Sequence, residues 1–119
     1  MPSPEEFFAG PPDASQIYDT VRARAERLGP VEVRTTRRQA AFRRRRGFAY
    51  LWLPGRWLRN PPAEVVLSLA LDHRVPSARF KQVVRPSPRT RVHHLEVRDV
   101  ADIDDEVSGW LSDAYRGAG

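Results

Sequence analysis

Residues 39–59 read QAAFRRRRGFAYLWLPGRWLR, and the interpretation of this stretch decides the fold. Four arginines, Arg43 to Arg46, run into a single glycine, Gly47, and then into the most apolar and aromatic segment of the chain. A cationic tip carrying a glycine free to take positive φ, between two strand-like runs, predicts a β-hairpin. Its outgoing strand is Gln39 to Arg44 and its return strand Phe48 to Leu53. On the return strand Phe48, Tyr50 and Trp52 alternate with Ala49, Leu51 and Leu53, so both faces are apolar. Such a strand is covered on both sides, or has one face in a pocket, and belongs in the centre of a sheet.

Upstream, Val31, Val33 and Thr35 alternate with Glu32, Arg34 and Thr36, which predicts a half-buried strand from Val31 to Arg37. Ahead of it Ile17, Val21, Ala25 and Leu28 make one apolar stripe. That predicts a helix over 13–28, with Asp13 and Gln16 at capping-box spacing and Gly29-Pro30 as the stop. Ser3-Pro4-Glu5-Glu6 starts a short helix over 3–9, ended by Gly10-Pro11-Pro12, whose Phe7 and Phe8 dock on the main body.

Downstream, Pro54-Gly55 is a turn and Asn60-Pro61-Pro62 a second break. Strands are predicted over Val65–Leu71, Phe80–Arg85 (closed by Pro86-Ser87-Pro88) and Arg91–Arg98. A last helix over 100–116 carries the stripe Ile103, Val107, Trp110, Leu111 and Ala114, capped by Asp99 or Asp102. With strands grouped over 31–98 and helices at the ends, the expected fold is α+β in a single domain, 1–119. An antiparallel sheet of about five or six strands would carry its N- and C-terminal helices on one face. The other face would be partly open.

The 119 residues are enough to bury a core without cross-links, and no cysteine is present to supply a disulfide, a thiol nucleophile or a thiolate metal site. No apolar run approaches the roughly 20 residues of a membrane span, and the acidic N-terminus MPSPEEFF is not a signal peptide. The expectation is a cytoplasmic protein without a cofactor. Charge is unevenly spread: residues 31–60 carry nine arginines against Glu32 alone, whereas residues 99–119 carry Arg116 against six acids. A basic sheet layer against acidic helical ends follows. Arginine favours bidentate recognition of anions, although arginine-biased codon usage also accounts for the overall count.

The segments TTRRQAAFRRRRGFAYLWLPGRWL, FKQVVRPSPRTRVHHLEV and IDDEVSGWL closely resemble the bacterial family labelled domain of unknown function 5655. The resemblance spans nearly the whole chain. It implies a small cytoplasmic α+β domain and no particular activity, so it carries over no catalytic residue. The layout is also similar to that of the YdhG family, which implies a frataxin-like sheet with helices on one face. Fold alone does not assign function.

The candidate ligand-binding residues are Arg43, Arg45, Tyr50, Trp52, Lys81 and His94. Arg43 to Arg46 are either phosphate contacts, with Arg34, Arg37, Arg38, Arg56 and Arg59 nearby, or a solvated tip that protects a sheet edge. Tyr50, Trp52 and Trp57 are either core or a stacking platform. His93 shares phase with Leu95 and Val97 and is expected to be buried and hydrogen-bonded. His94 shares phase with Glu96, which would raise its pKa and make it the one acid–base candidate. Lys81, the only lysine, is in phase with Val83 and is either a partly buried anion clamp or a snorkelling strand-end side chain. Asp102, Asp104, Asp105 and Glu106 are explained by the helix dipole, with a divalent-ion ridge as the remote alternative.

Three functions follow from these residues. The first is a binding module that holds an anionic small molecule or acidic protein partner on a basic, aromatic sheet face. The second is a nucleic-acid-binding accessory domain that uses the arginine hairpin. The third and weakest is an enzyme using His94 or Lys81. The absence of P-loop, GxGxxG, Ser/His/Asp and zinc spacings weighs against catalysis.

Overall fold

A computed structural model describes residues 3–11, 13–56 and 63–119 of the chain. Trp57, Arg59 and the break at Asn60-Pro61-Pro62 lie outside these residues, as does the side chain of Arg56. The elements run α1 (Pro4–Phe7), α2 (Ala14–Glu26), β1 (Glu32–Thr35), β2 (Ala40–Arg43), β3 (Gly47–Trp52), β4 (Val65–Leu71), β5 (Phe80–Ser87), β6 (Thr90–Val97) and α3 (Asp105–Gly117). The strands form one six-stranded sheet in the order β1-β2-β3-β4-β6-β5, and every neighbouring pair is antiparallel. The fold is α+β, as expected, and β3 and β4 lie at the sheet's centre.

Register assigns the two faces. Ala40, Leu51, Leu67 and Leu95 stand in one cross-strand row, and all are buried with the helical stripes Ile17, Val21, Ala25 and Val107, Leu111, Ala114. The neighbouring row, Ala41, Tyr50, Ser68 and His94, points the other way. Strand alternation thus puts α2 and α3 on one side of the sheet, and no described element packs on the opposite side.

One expected alternation fails at the hairpin. Phe42 pairs with Ala49 but Arg43 pairs with Gly47, so Phe48 is an extra residue in a β-bulge. The bulge turns Phe48 toward the helices, where it is fully buried and meets the Tyr115 ring edge-on at 5.3 Å. Phe48 therefore does not share a face with Tyr50 and Trp52. Gly47 also departs from expectation: among the described residues the glycine at positive φ is Gly29 (148°), in the turn after α2. At Gly47 the constraint is space, because a Cβ there would run into the Tyr50 ring.

The edge strand β5 continues through Pro86, past the expected end at Arg85. A proline lacks the N–H of a ladder bond and survives here because it sits at a register shift on an edge. A second shift leaves Lys81 as the extra residue between Phe80 and Gln82.

The caps are also partly reassigned. Ser3 accepts from the Glu6 amide as expected. Asp13 makes no side-chain capping bond; its own N–H donates to the Glu64 carboxylate at 3.2 Å. Asp104, rather than Asp99 or Asp102, caps α3 by accepting from the Val107 amide. Asp99 and Asp102 form a capping box one turn earlier, on the short 3₁₀ turn Val100–Asp102. Phe7 and Phe8 dock as expected, Phe8 stacking on Tyr18 at 5.0 Å.

Candidate functional site

The helix-free face is apolar at its centre. Val66 and Ser68 of β4 are nearly covered there, with Tyr50 and Trp52 of β3 and Val92 and His94 of β6 on either side. A shallow hollow of about 690 Å³ opens on this face, lined by Arg38, Gln39, Tyr50, Trp52, Ser68, Val92 and His94. Arg38 enters from the β1–β2 turn, where the Thr36 hydroxyl accepts the Arg38 amide at 3.1 Å and so shapes the loop.

A chain of three side chains spans the floor. The Trp52 indole N–H donates to Ser68 Oγ at 3.0 Å, and Ser68 Oγ lies 2.6 Å from His94 Nδ1. Indole nitrogen is only a donor, so one lone pair of the serine oxygen is occupied. Ser68 Oγ has no third partner among the described residues. If Nδ1 also donated, the hydroxyl proton of a residue only 3% exposed would have no acceptor among the described residues. The serine therefore donates to Nδ1, and the neutral imidazole carries its proton on Nε2. Burial pushes the His94 pKa below its ordinary value, which favours this neutral form. The expected upward shift from Glu96 is absent, since Glu96 turns to Arg98 at 3.3 Å.

Nε2 of His94 meets no partner among the described residues. The one buried side-chain N or O atom without a partner among them is Thr35 Oγ1, so Nε2 is open to the hollow. The Trp52 and His94 rings stand edge-to-face at 6.2 Å. Tyr50 leans over Gly47, where the missing side chain leaves room for it. The hollow thus offers an indole face held in place by its own N–H bond, a phenol, a bare imidazole N–H and a guanidinium. No carboxylate lines it among the described residues.

The structure unites Tyr50, Trp52 and His94 and places the other three candidates elsewhere. Arg43 stands opposite Glu32 on β1, and Arg45 is exposed at the hairpin tip. Lys81 is exposed on the β5 bulge and lines a separate groove with Phe80, Glu96, Arg98 and Asp102. The clamp reading of Lys81 thereby loses the burial it needed.

Two side chains of the arginine run, Arg44 and Arg46, are engaged on α3. Arg44 donates to the Tyr115 carbonyl at 3.3 Å and lies over the Tyr115 ring at 4.5 Å. Arg46 donates to the Gly117 carbonyl at 2.7 Å, and the backbone amides of Arg45 and Arg46 both donate to the Ala118 carbonyl. The tip of the hairpin thus supplies donors and positive charge to the carbonyls at the C-terminus of α3, where the Tyr115 carbonyl also accepts the Ala118 amide at 3.2 Å.

This assembly of hairpin, terminal helix and helix-free face covers the same residues as a known family model. The chain belongs to the DUF5655 family. The match, to a domain of unknown function, runs over residues 5–118. No curated protein and no solved structure matches the chain. The DUF5655 assignment leaves activity open, so the site must be judged on its own chemistry.

His93, the buried histidine of this DUF5655 domain, is satisfied at both nitrogens. Nδ1 donates to the Arg91 carbonyl at 3.1 Å and Nε2 accepts the Val75 amide at 2.9 Å. It pins the loop after β4 to the core, as the sequence led one to expect of a buried histidine. The acids at α3 act locally: Arg79 reaches Asp104 at 3.0 Å and Glu106 at 2.8 Å. Among the described residues no group of three or more His, Asp or Glu side chains is placed to hold a metal ion. None of the described helices is long and apolar enough to cross a membrane.

Sequence reasoning missed Ser68, Gln39 and Val92 and gave Arg38 only a supporting place. A signal for Ser68 was present: it is the one hydroxyl in the strand VVLSLAL, out of phase with the leucines. Its partners come from strands 16 and 26 residues away, which no local pattern reveals.

Proposed function

We propose that this domain is a small binding module whose ligand is an anionic small molecule held in the hollow between the β1–β2 turn and the centre of the sheet. The reading rests on one observation above all. The Trp52–Ser68–His94 chain holds an aromatic face and a bare N–H at a hollow whose only permanent charge, among the described residues, is the Arg38 guanidinium. Its size falls in the usual range of small-molecule sites, about 300–1,000 Å³.

Two features favour binding over nucleophilic catalysis. Ser68 lies beneath the hollow at 3% exposure and accepts the Trp52 N–H, which draws on the lone pair a nucleophile would use. His94 has no carboxylate on its second nitrogen among the described residues to stabilise a transient charge. The nucleic-acid reading is weaker than the small-molecule one, because Arg44 and Arg46 are engaged on α3.

The test is a heteronuclear NMR titration of the uniformly ¹⁵N-labelled protein with a set of carboxylates, phosphates and sulfonates. Shifts confined to the Trp52 indole and the backbone of Ser68, Val92 and His94 are expected. If every anion leaves these signals in place, or if only Arg43–Arg46 respond, the hollow is not the site.

A further inference from the structure

We infer that the hollow selects planar heteroaromatic monocarboxylates, with the carboxylate on Arg38, the ring against Trp52 and a ring acceptor on the Nε2–H of His94. This inference rests on the binding reading above and specifies its ligand class. Three properties of the lining lead to it.

The first is charge. Arg38 is the one permanently charged side chain among the described lining residues. A guanidinium pairs with one carboxylate through two parallel N–H···O bonds. A phosphate monoester carries close to two charges, and its surplus would face Trp52, Tyr50 and Val92 unpaired, at a desolvation cost.

The second is shape. Trp52 cannot swing freely, because its N–H is held by Ser68 and its ring abuts His94 edge-on. A fixed indole beside a phenol on a shallow floor suits a flat ring better than a branched chain. The room for Tyr50 is itself created by Gly47.

The third is hydrogen-bond polarity. The serine relay leaves His94 with an outward donor, so its complement is an acceptor such as a pyridine-type nitrogen or a ring carbonyl. An aliphatic acid lacks the ring, a neutral amide lacks the charge, and a benzoate lacks the second acceptor. The specificity of a site built around an unpaired donor lies largely in that acceptor.

The experiment uses nicotinate as the probe, with nicotinamide, benzoate and adenosine monophosphate as controls, at pH 7.5 on the full chain by the same NMR signals. Nicotinate is expected to bind about tenfold more tightly than nicotinamide and measurably more tightly than benzoate. Arg38→Gln, on an exposed turn, should erase the difference between nicotinate and nicotinamide while leaving the fold's spectrum intact. His94→Phe should erase the difference between nicotinate and benzoate. If adenosine monophosphate perturbs the hollow and nicotinate does not, the ligand class is overturned and the binding reading stands. If none of the four probes perturbs Trp52 or His94, both are overturned.

Discussion

Ser68 and His94 stand opposite each other across the β4–β6 ladder, and Ser68 Oγ lies 2.6 Å from His94 Nδ1. Residues directly paired on neighbouring antiparallel strands bring their side chains together on one face. That pairing turns two unremarkable strand residues into a relay with Trp52, which stands opposite Val66, two residues along the register on the same face.

Ser68→Ala removes the acceptor of the Trp52 N–H and the donor to Nδ1 in a single change. Two polar groups on a largely apolar floor then lose their partners, which costs about 1–3 kcal/mol. Urea unfolding should show a lower midpoint with an unchanged slope. The ¹⁵N shifts of the His94 ring should move from a single Nε2–H tautomer toward a mixture. An unchanged tautomer would mean that the serine does not set it.

Acid should weaken the fold through both strand histidines. Burial holds His93 below its ordinary value of 6.5, with His73 and Arg74 adding repulsion, and burial does the same to His94. A histidine with a depressed pKa stays neutral in the folded chain while the unfolded chain takes up a proton. Stability is therefore complete above about pH 6.5 and declines as pH falls through the depressed folded values. Unfolding free energies at pH 7.5 and 5.5 should differ, with a slope of at most about 1.4 kcal/mol per pH unit for each such proton. His94→Gln should reduce that slope, and an equal slope in the variant would remove His94 from the account.

Gly47→Ala should destabilise the protein by about 1–3 kcal/mol, because the added methyl meets the Tyr50 ring. The backbone itself is not at positive φ, so strain of that kind does not contribute. In the double variant with Tyr50→Ala most of the cost of Gly47→Ala should disappear. A double-mutant cycle by chemical denaturation measures the coupling, and simple additivity would contradict the packing argument.

The arginine run should be uneven in its effect on stability. Arg44→Ala loses the bond to the Tyr115 carbonyl and the contact with its ring, worth about 1–2 kcal/mol together. Arg45 contributes to α3 through its backbone amide, which alanine keeps, so Arg45→Ala should stay within about 0.5 kcal/mol of the parent. Equal losses at both positions in thermal denaturation would argue that the run acts by bulk charge.

Some features of the site were legible from local pattern and others were not. Tyr50 and Trp52 stood out because they share one phase of a strand apolar on both faces, and His94 because its phase differs from that of His93. Phe48 was assigned to the wrong face, since a bulge shifts alternation by one residue and depends on the partner strand. Arg43 and Arg45 drew attention as charge, yet the run's seat against Gly117 and Ala118 lies some 70 residues downstream.

The chain's own order of residues determined its helices, its strand phases and the α+β layering, because these follow from periods of 3.6 and 2 and from the burial of apolar stripes. Only the tertiary structure decided that Ser68 joins Trp52 to His94, that Arg38 rather than Lys81 faces that group, and that the arginine tip closes a helix. Those outcomes depend on strand order and register between distant segments, and on register shifts that reset which side a residue faces.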